Sequence, residues 1–260
     1  MTVSPITSKQ KVALDKLLSR ARKGAEKGKI SEDLQRLFAR GGEFEDAYVA
    51  LFNRFTAKLP DYMLAKSILG GDFITAEEIM VARPGVVYSP EQIEQLASTL
   101  PSEDVLRSLK SGGYGLMPQP PSAFSLLDVR AIEAPLFYTP TGGWYEKQLF
   151  ASTNKTGAGW LAIRKTPVNG STNKSWEEQN NLLSGFEIVP SAAEMSWFIT
   201  TFYKVRGIRL FEKVYVRCSD IDSGGSHVDV GLFDVWGLDV FSSWDSKRLA
   251  FLGLASARKF

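Results

Sequence analysis

The sequence predicts an α+β fold in which a helical region precedes a second part built of short strands and two helices. Three observations predict this arrangement. Apolar residues in the first third recur at the spacing of one helix face. A proline-rich break follows near residue 118. Beyond residue 210, apolar and polar residues alternate with a period of two between glycines, which is typical of strands with one buried face.

The first third contains several helices, some with recognisable starts. Apolar spacing predicts helices around 12–18, 34–38 and 47–55. Gly112 and Gly113 would end a further helix at 104–110. Three helices begin where a serine or threonine side chain can accept a bond from the first turn: Thr75 with Glu78, Ser89 with Gln92, and Ser102.

The organisation of the chain changes at Met117–Pro121, where three prolines in five residues exclude a helix interior. A break of this kind is typical of the connection between two small domains in a chain of 260 residues. We therefore predict a helical region at 1–115, a proline-rich connection at 116–134 and a second domain at 135–260.

The second domain is predicted to hold one early strand, two capped helices and four later strands. Asp229 and Asp239 each lie between apolar residues, so we expect these strands to bury one face and display the other. The helices start at Ser175 with Glu178 and, for a longer one over 192–205 that Gly207 ends, at Ser191 with Glu194. The strands are Trp160–Ile163, Lys213–Arg217, Val228–Val230, Leu238–Val240 and Leu252–Ala257.

The amino-acid composition excludes several classes of protein. A hydrophobic fraction of 44%, a charged fraction of 23% and a net charge of +2 fit a folded chain and give no general argument for nucleic-acid binding. Cys218 is the only cysteine, which excludes an internal disulfide and a multi-cysteine metal site. The N-terminus lacks the apolar core of a signal peptide and no run of about eighteen apolar residues occurs, so we expect no membrane span and a cytoplasmic location.

Three features could carry other chemistry, and each has a simpler explanation. The basic run Lys9–Lys29 could bind nucleic acid, but it has no interleaved aromatic residue and fits a solvated helix face. His227 beside Asp229 lacks the spacing of a nucleophile relay, and we interpret it as a surface histidine. We expect no metal or other cofactor, although three aspartates could offer oxygen ligands to calcium in a stretch without the closing Glu of an EF-hand: Asp220, Asp222 and Asp234.

The tail Ser219–Phe260 has an unusual composition. It contains no Glu, Gln or Met, although aspartate and serine are plentiful. At ordinary residue usage such a gap arises by chance in roughly a few cases per thousand. Short polar and aromatic side chains lie among regularly placed Val, Leu and Gly, as expected for a rigid scaffold with replaceable surface residues. Trp236 and Trp244 could be core residues or exposed anchors, and we interpret Trp244 as structural.

Three stretches of the second domain resemble a known family. They are Val189–Glu194 with the helix after it, Tyr215–Asp220, and the ending Leu252–Phe260. In their order and their position at the C-terminus they resemble the target proteins of diversity-generating retroelements, over about residues 135–260. The resemblance implies a C-type lectin fold of the formylglycine-generating-enzyme-like kind, with ligand-binding side chains near the C-terminus.

The resemblance also implies how the tail would vary. In that family a reverse transcriptase misincorporates at template adenines, and an AAC codon changed at its adenines cannot encode Glu, Gln, Lys, Met or Trp. This limit matches the missing residue types, and Lys247, Trp236 and Trp244 are then framework or come from other codons. Only outward or loop positions can change without disturbing the core. The candidate ligand-binding positions are Ser226, His227, Asp229, Leu232, Val235, Asp239, Phe241, Ser242, Ser243, Asp245, Ser246, Leu249, Ala250 and Phe251.

The sequence departs from related proteins at two points, and these departures limit the functions that we expect of it. The tail has neither the Glu-Pro-Asn nor the Gln-Pro-Asp motif of sugar-binding C-type lectins, and Cys218 alone cannot supply the cysteine pair of the formylglycine-generating enzymes. We therefore expect a non-enzymatic binding protein whose partner is a protein or another macromolecule. The alternatives are an enzyme of the same fold that uses Cys218 or an acidic pocket, and a nucleic-acid-associated protein that uses Lys9–Lys29.

Overall fold

The structure is a computed structural model that describes residues 59–260. Pro60–Phe260 form one compact unit. The helices predicted around 12–18, 34–38 and 47–55, together with the basic run Lys9–Lys29, lie outside the described residues. Residues 59–260 mix eight α-helices with seven strands, which agrees with the predicted α+β class.

Most of the helices are short and lie in the first two thirds of the described chain. None of those within residues 59–260 is both long and apolar enough to cross a bilayer. Single 3-10 turns lie at Gly70–Asp72, Ala134–Leu136 and Trp144–Lys147. The α-helices are α1 Leu59–Leu69, α2 Ala76–Ala82, α3 Pro90–Ser98, α4 Glu103–Gly112, α5 Leu126–Ile132, α6 Leu149–Thr153, α7 Trp176–Asn180 and α8 Ala192–Arg206.

The strands form two separate sheets. The first sheet has the order β1-β2-β7 and is antiparallel throughout. The second has the order β5-β4-β3-β6, in which β6 runs parallel to β3 and the other pairs are antiparallel. The last residues of the chain therefore supply one strand to each sheet. The strands are β1 Tyr114–Pro118, β2 Trp160–Arg164, β3 Tyr215–Ile221, β4 His227–Asp234, β5 Gly237–Ser243, β6 Leu252–Leu254 and β7 Ala257–Lys259.

Local signals account for most of the helix ends. Gly113 and Gly207 adopt left-handed backbone angles, with φ of 73° and 69°, and end α4 and α8 as predicted. Ser102 precedes α4, but its side chain makes no capping bond. Ser125 forms a further capping box with Asp128 at the start of α5. The predicted capping boxes are confirmed at Thr75 with Glu78, Ser89 with Gln92, Ser175 with Glu178, and Ser191 with Glu194.

Helix α8 contacts both sheets and forms the centre of the core. Every residue from Ala192 to Phe202 is buried. The indole Nε1 of Trp197 donates to the carbonyl of Pro118 in β1 at 3.0 Å, and the helix also packs against β3, β4 and β5. A helix buried on all sides depends on packing more than on an amphipathic face. It therefore fixes the position of the second sheet.

The predicted domain boundary at 116–134 is wrong. Its first residues belong to β1, which pairs along its whole length with β2. Trp160 of β2 packs against Phe73, with ring centroids 5.5 Å apart, and its Nε1 donates to the carbonyl of Leu96 at 2.8 Å. The helices before residue 116 and the strands after it therefore share one core, so residues 135–260 are not a separate domain.

The prolines suggested a linker because their place in the sheet is not visible in the sequence. Pro118 lies on β1, an edge strand. The next residue, Gln119, donates its N–H to the carbonyl of Gly159, so the backbone nitrogen of Pro118 points away from β2. A proline at such a position removes no hydrogen bond from the sheet.

Candidate ligand-binding surface

Strand register defines the outer face of the second sheet. Val228 and Val230 of β4 are fully buried on the inner face, on the side of α8. The residues that alternate with them point to the opposite, outer face. Register across the strands aligns two rows of residues there: Asp239, Gly231, Tyr215 and Leu252 in one, and Phe241, Asp229, Arg217 and Leu254 in the other.

Six of the fourteen predicted positions are exposed, and we call them the display positions. Their large apolar members are Val235, Phe241 and Phe251, with 77%, 53% and 49% of their surface exposed. Apolar side chains exposed together are typical of interaction surfaces. The display positions are Val235, Phe241, Asp245, Ser246, Ala250 and Phe251. Four further predicted positions are half-buried: Leu232, Asp239, Ser242 and Leu249.

The predicted exposure is wrong for the remaining four positions, Ser226, His227, Asp229 and Ser243, which are buried. Alternation does put the last three on the outer face, as predicted. A second layer then covers them, formed by α7 and the segment 244–250. Alternation tells which face a side chain is on, but not what lies over that face.

Arg217 ties this second layer to the sheet. Its side chain is completely buried on β3. One terminal nitrogen, Nη2, donates to the carbonyls of Trp244 and Lys247, both at 3.0 Å. The other, Nη1, donates to Oε1 of Gln179 at 2.8 Å and to the carbonyl of Lys174 at 3.3 Å. Because two of these acceptors are backbone carbonyls of the segment 244–250, the side chains at those positions are not needed for the attachment.

Asp229 lies next to Arg217 in the cross-strand register and is also buried. Burial raises the pKa of Asp229 to about 6, although a hydrogen bond from Ser243 and the positive charge of Arg217 both act to lower it. Burial likewise lowers the pKa of Arg217, against the nearby charges of Asp229 and Asp245. Within residues 59–260, Oδ1 of Asp229 has no hydrogen-bond partner. This carboxylate therefore favours its neutral form more than an exposed one does.

His227 makes a second attachment of the segment 244–250. Its ring stacks on Trp176 of α7, with ring centroids 3.6 Å apart and planes inclined by 19°. Its Nδ1 lies 2.6 Å from Oδ1 of Asp245. The backbone N–H of Trp176 also donates to the carbonyl of Asp245 at 2.8 Å. His227 is thus a structural residue beneath the segment, and the interpretation as a surface histidine is corrected.

Tyr215 connects three of the predicted positions. Its ring lies 6.2 Å from the ring of Phe241, and its hydroxyl donates to Asp239. Its backbone N–H donates to the carbonyl of Phe251 at 2.8 Å. Asp239 and Phe241 therefore lie beside one tyrosine on the outer face of the sheet, Phe251 is joined to that tyrosine through its backbone, and none of the three is in the interior.

Three further aromatic residues add exposed area beside the display positions. The side chains of Trp236 and Trp244 are 73% and 59% exposed. The structural interpretation of Trp244 therefore holds only for its backbone carbonyl, which Arg217 binds. Tyr138 is 61% exposed and its N–H donates to the carbonyl of Leu238 in β5 at 2.9 Å. Sequence reasoning missed Tyr138, because it lies a hundred residues before its neighbour and carries no local signal.

The thiol and calcium alternatives find little support in the geometry. Cys218 is completely buried, and burial together with nearby carboxylates raises its pKa well above the usual range. A buried thiol of this kind is a poor nucleophile. Within residues 59–260, no group of three or more His, Cys, Asp or Glu side chains is placed to hold a metal ion. The three tail aspartates instead accept bonds from separate backbone N–H groups, those of Ala192, Gly224 and Trp236.

Similarity to known proteins does not identify the chain. No protein family, no curated protein and no solved structure matches it.

Proposed function

We propose that this protein is a non-enzymatic ligand-binding protein whose C-terminal surface is diversified by a retroelement and recognises a macromolecule. The proposal includes a C-type-lectin-like fold for the described unit. The observation that carries it is the contrast between a supporting layer of buried residues, which includes Arg217, Val228 and Val230, and the six exposed display positions. Such a separation lets side chains change at the surface while the core stays intact.

The attachment made by Arg217 does not depend on the side chains of the segment 244–250. Arg217 binds the segment 244–250 through the carbonyls of Trp244 and Lys247. Its other acceptors, Gln179 and the carbonyl of Lys174, lie outside the tail. These backbone contacts stay the same when side chains of the segment are replaced, whereas the contact of His227 with the Asp245 side chain depends on one display position. Attachment through the backbone is what a diversified binding surface requires.

The residue types at the display positions agree with the proposed source of variation. Val, Phe, Asp, Ser and Ala are all encoded by codons that differ from AAC only at its two adenines. The tail as a whole lacks Glu, Gln and Met, which no such codon encodes. The display positions lie within this tail, so their residue types are part of the same compositional pattern.

The exposed side chains indicate the class of ligand. Phe241 and Phe251 are exposed, and so are Trp244 and Tyr138. Aromatic residues of this kind are the anchors that dominate the binding energy at protein interfaces. Asp239 and Asp245 supply polar groups near them. A protein surface with complementary apolar pockets is therefore the ligand that we propose.

Inspection of the surrounding DNA tests this proposal. We expect a reverse transcriptase gene nearby and a second, near-identical copy of the DNA that encodes the tail. The two copies should differ only where the second copy has adenine, and those codons should include the six display positions. A neighbourhood with neither the gene nor the copy would contradict the proposal.

A further inference from the structure

A cleft of about 360 Å³ lies at the first sheet and shares no residue with the display positions. Its walls come from the end of α4, from one face of β1, β2 and β7, and from the loop 184–187. Tyr114 and Arg164 are direct register partners on that face. Arg258 pairs with Ala162, two residues before Arg164, so both arginines project from the same face.

Arg164 is a charged side chain whose N–H donors are incompletely bonded within residues 59–260. Only 19% of the side chain is exposed. A guanidinium carries five N–H donors, yet within residues 59–260 its Nε is buried without a partner and the nearest carboxylate oxygen lies 4.0 Å from Nη1. That distance exceeds the range of a hydrogen bond. Donors left unbound in this way are costly unless something else binds them.

The nearby carboxylate of Glu187 cannot serve Arg164 because its acceptor sites are already occupied. Its Oε1 accepts from the hydroxyls of Tyr114 and Ser256, and its Oε2 accepts from the N–H and the hydroxyl of Ser184. A carboxylate offers about four acceptor sites, so none remains. Burial opposes the ionisation of Glu187, but these bonds outweigh it and lower its pKa to about 2.

Arg258 supplies a second guanidinium in the same cleft. Its Nη1 donates to the hydroxyl of Ser108 at 3.1 Å, and its Cζ lies 5.9 Å from the ring centroid of Phe186. Phe186 is 81% exposed at the rim of the cleft. Ser111 also lines the cleft, and its hydroxyl donates to the carbonyl of Ser108 at 2.9 Å. Two arginines against one carboxylate leave the cleft with a net positive charge.

We propose that this cleft binds the oxyanion group, a carboxylate or a phosphate, of a small anionic molecule. Arg164 would hold two oxygens of the group with its planar N–H pair, which is the geometry that guanidinium groups offer to such anions. Arg258 would contact the remaining oxygen, and an apolar part of the molecule would lie against Phe186. This site does not depend on the proposed function of the display positions, and either can be refuted without the other.

Calorimetric titration of the full chain at neutral pH tests the site. The probes are sodium phosphate and sodium citrate in separate titrations, with sodium chloride added to keep the ionic strength equal. We expect saturable binding of at least one probe, and the probe that binds tells phosphate from carboxylate. Arg164→Gln should weaken that binding about tenfold or more. Absence of saturable binding for both probes would overturn the proposal.

Two further variants test whether a loss of binding is specific to the arginines of the cleft. Arg107→Gln removes an exposed guanidinium of α4 that is paired with Glu103, and it should bind the probe as the wild type does. Arg258→Gln should weaken binding as well, and it replaces Arg164→Gln if that variant does not fold by circular dichroism. Binding that is equal in the wild type and in the folded Arg164→Gln or Arg258→Gln variant would also refute the site.

Discussion

Replacing Arg217 by Met should destabilise the protein strongly and release the segment 244–250. Methionine keeps most of the apolar stem of the side chain but none of its N–H donors. Four acceptors then lose their donor, and they are the carbonyls of Lys174, Trp244 and Lys247 and Oε1 of Gln179. We therefore expect both a lower free energy of unfolding and a looser segment.

The size of the effect follows from the burial of these groups. A hydrogen bond from a charged donor contributes about 1.5–3 kcal/mol, and removing one partner of a buried charged network costs about 3–5 kcal/mol. Trp244 and Lys247 are exposed, so water can bind their carbonyls once the segment loosens. Gln179 is fully buried and has no such replacement. We expect a loss of about 3–5 kcal/mol in the free energy of unfolding.

Urea denaturation and trypsin cleavage measure the two consequences. Cleavage after Lys247 in the folded protein should become faster in Arg217→Met. The control is Arg248→Met, which removes an exposed arginine of the same segment whose Nη1 lies 2.5 Å from Oε2 of Glu178. That exposed pair should contribute less than about 1 kcal/mol. Arg217→Met with a stability within about 1 kcal/mol of the wild type, and with unchanged cleavage, would refute the role of Arg217.

Three other variants test the buried and exposed sides of the same sheet. Burial raises the pKa of Asp229 from 3.8 to about 6, so its ionisation lowers stability as pH rises between those values. Relative to the wild type, Asp229→Asn should therefore gain roughly 2 kcal/mol of unfolding free energy between pH 4 and pH 7 in urea titrations. A difference that does not change with pH would contradict that assignment. Val230→Ser should cost at least about 3 kcal/mol because Val230 is fully buried, whereas Val235→Ser at a display position should change thermal stability by less than about 0.5 kcal/mol. Equal losses in the two variants would be incompatible with the assigned faces.

The sequence predicts the parts of this fold that depend on neighbouring residues. The capping boxes at Ser89 and Ser191 involve residues three apart, and the stop at Gly207 depends on one backbone angle. Alternation in β4 likewise identifies Val228 and Val230 as core residues. Such signals need no knowledge of the rest of the chain.

Other features depend on contacts between distant residues and are not visible in the sequence. From the sequence, Pro118 is expected to lie in a linker. In the structure it lies on an edge strand that pairs with β2. From the sequence, Asp229 and His227 are expected to be exposed. In the structure, α7 and the segment 244–250 lie over them and bury them. The cleft at Arg164 brings together residues from positions 108 to 258, and no local pattern predicts that meeting.

The central claim is that side chains at the display positions vary while the layer beneath them is fixed. Sequencing the DNA that encodes residues 210–260 in many isolates of the source lineage tests this most directly. We predict that substitutions fall at Val235, Phe241, Asp245, Ser246, Ala250 and Phe251, while Arg217, Val228 and Val230 do not change. Substitutions spread evenly over buried and exposed positions, or absent from the display positions, would contradict the claim.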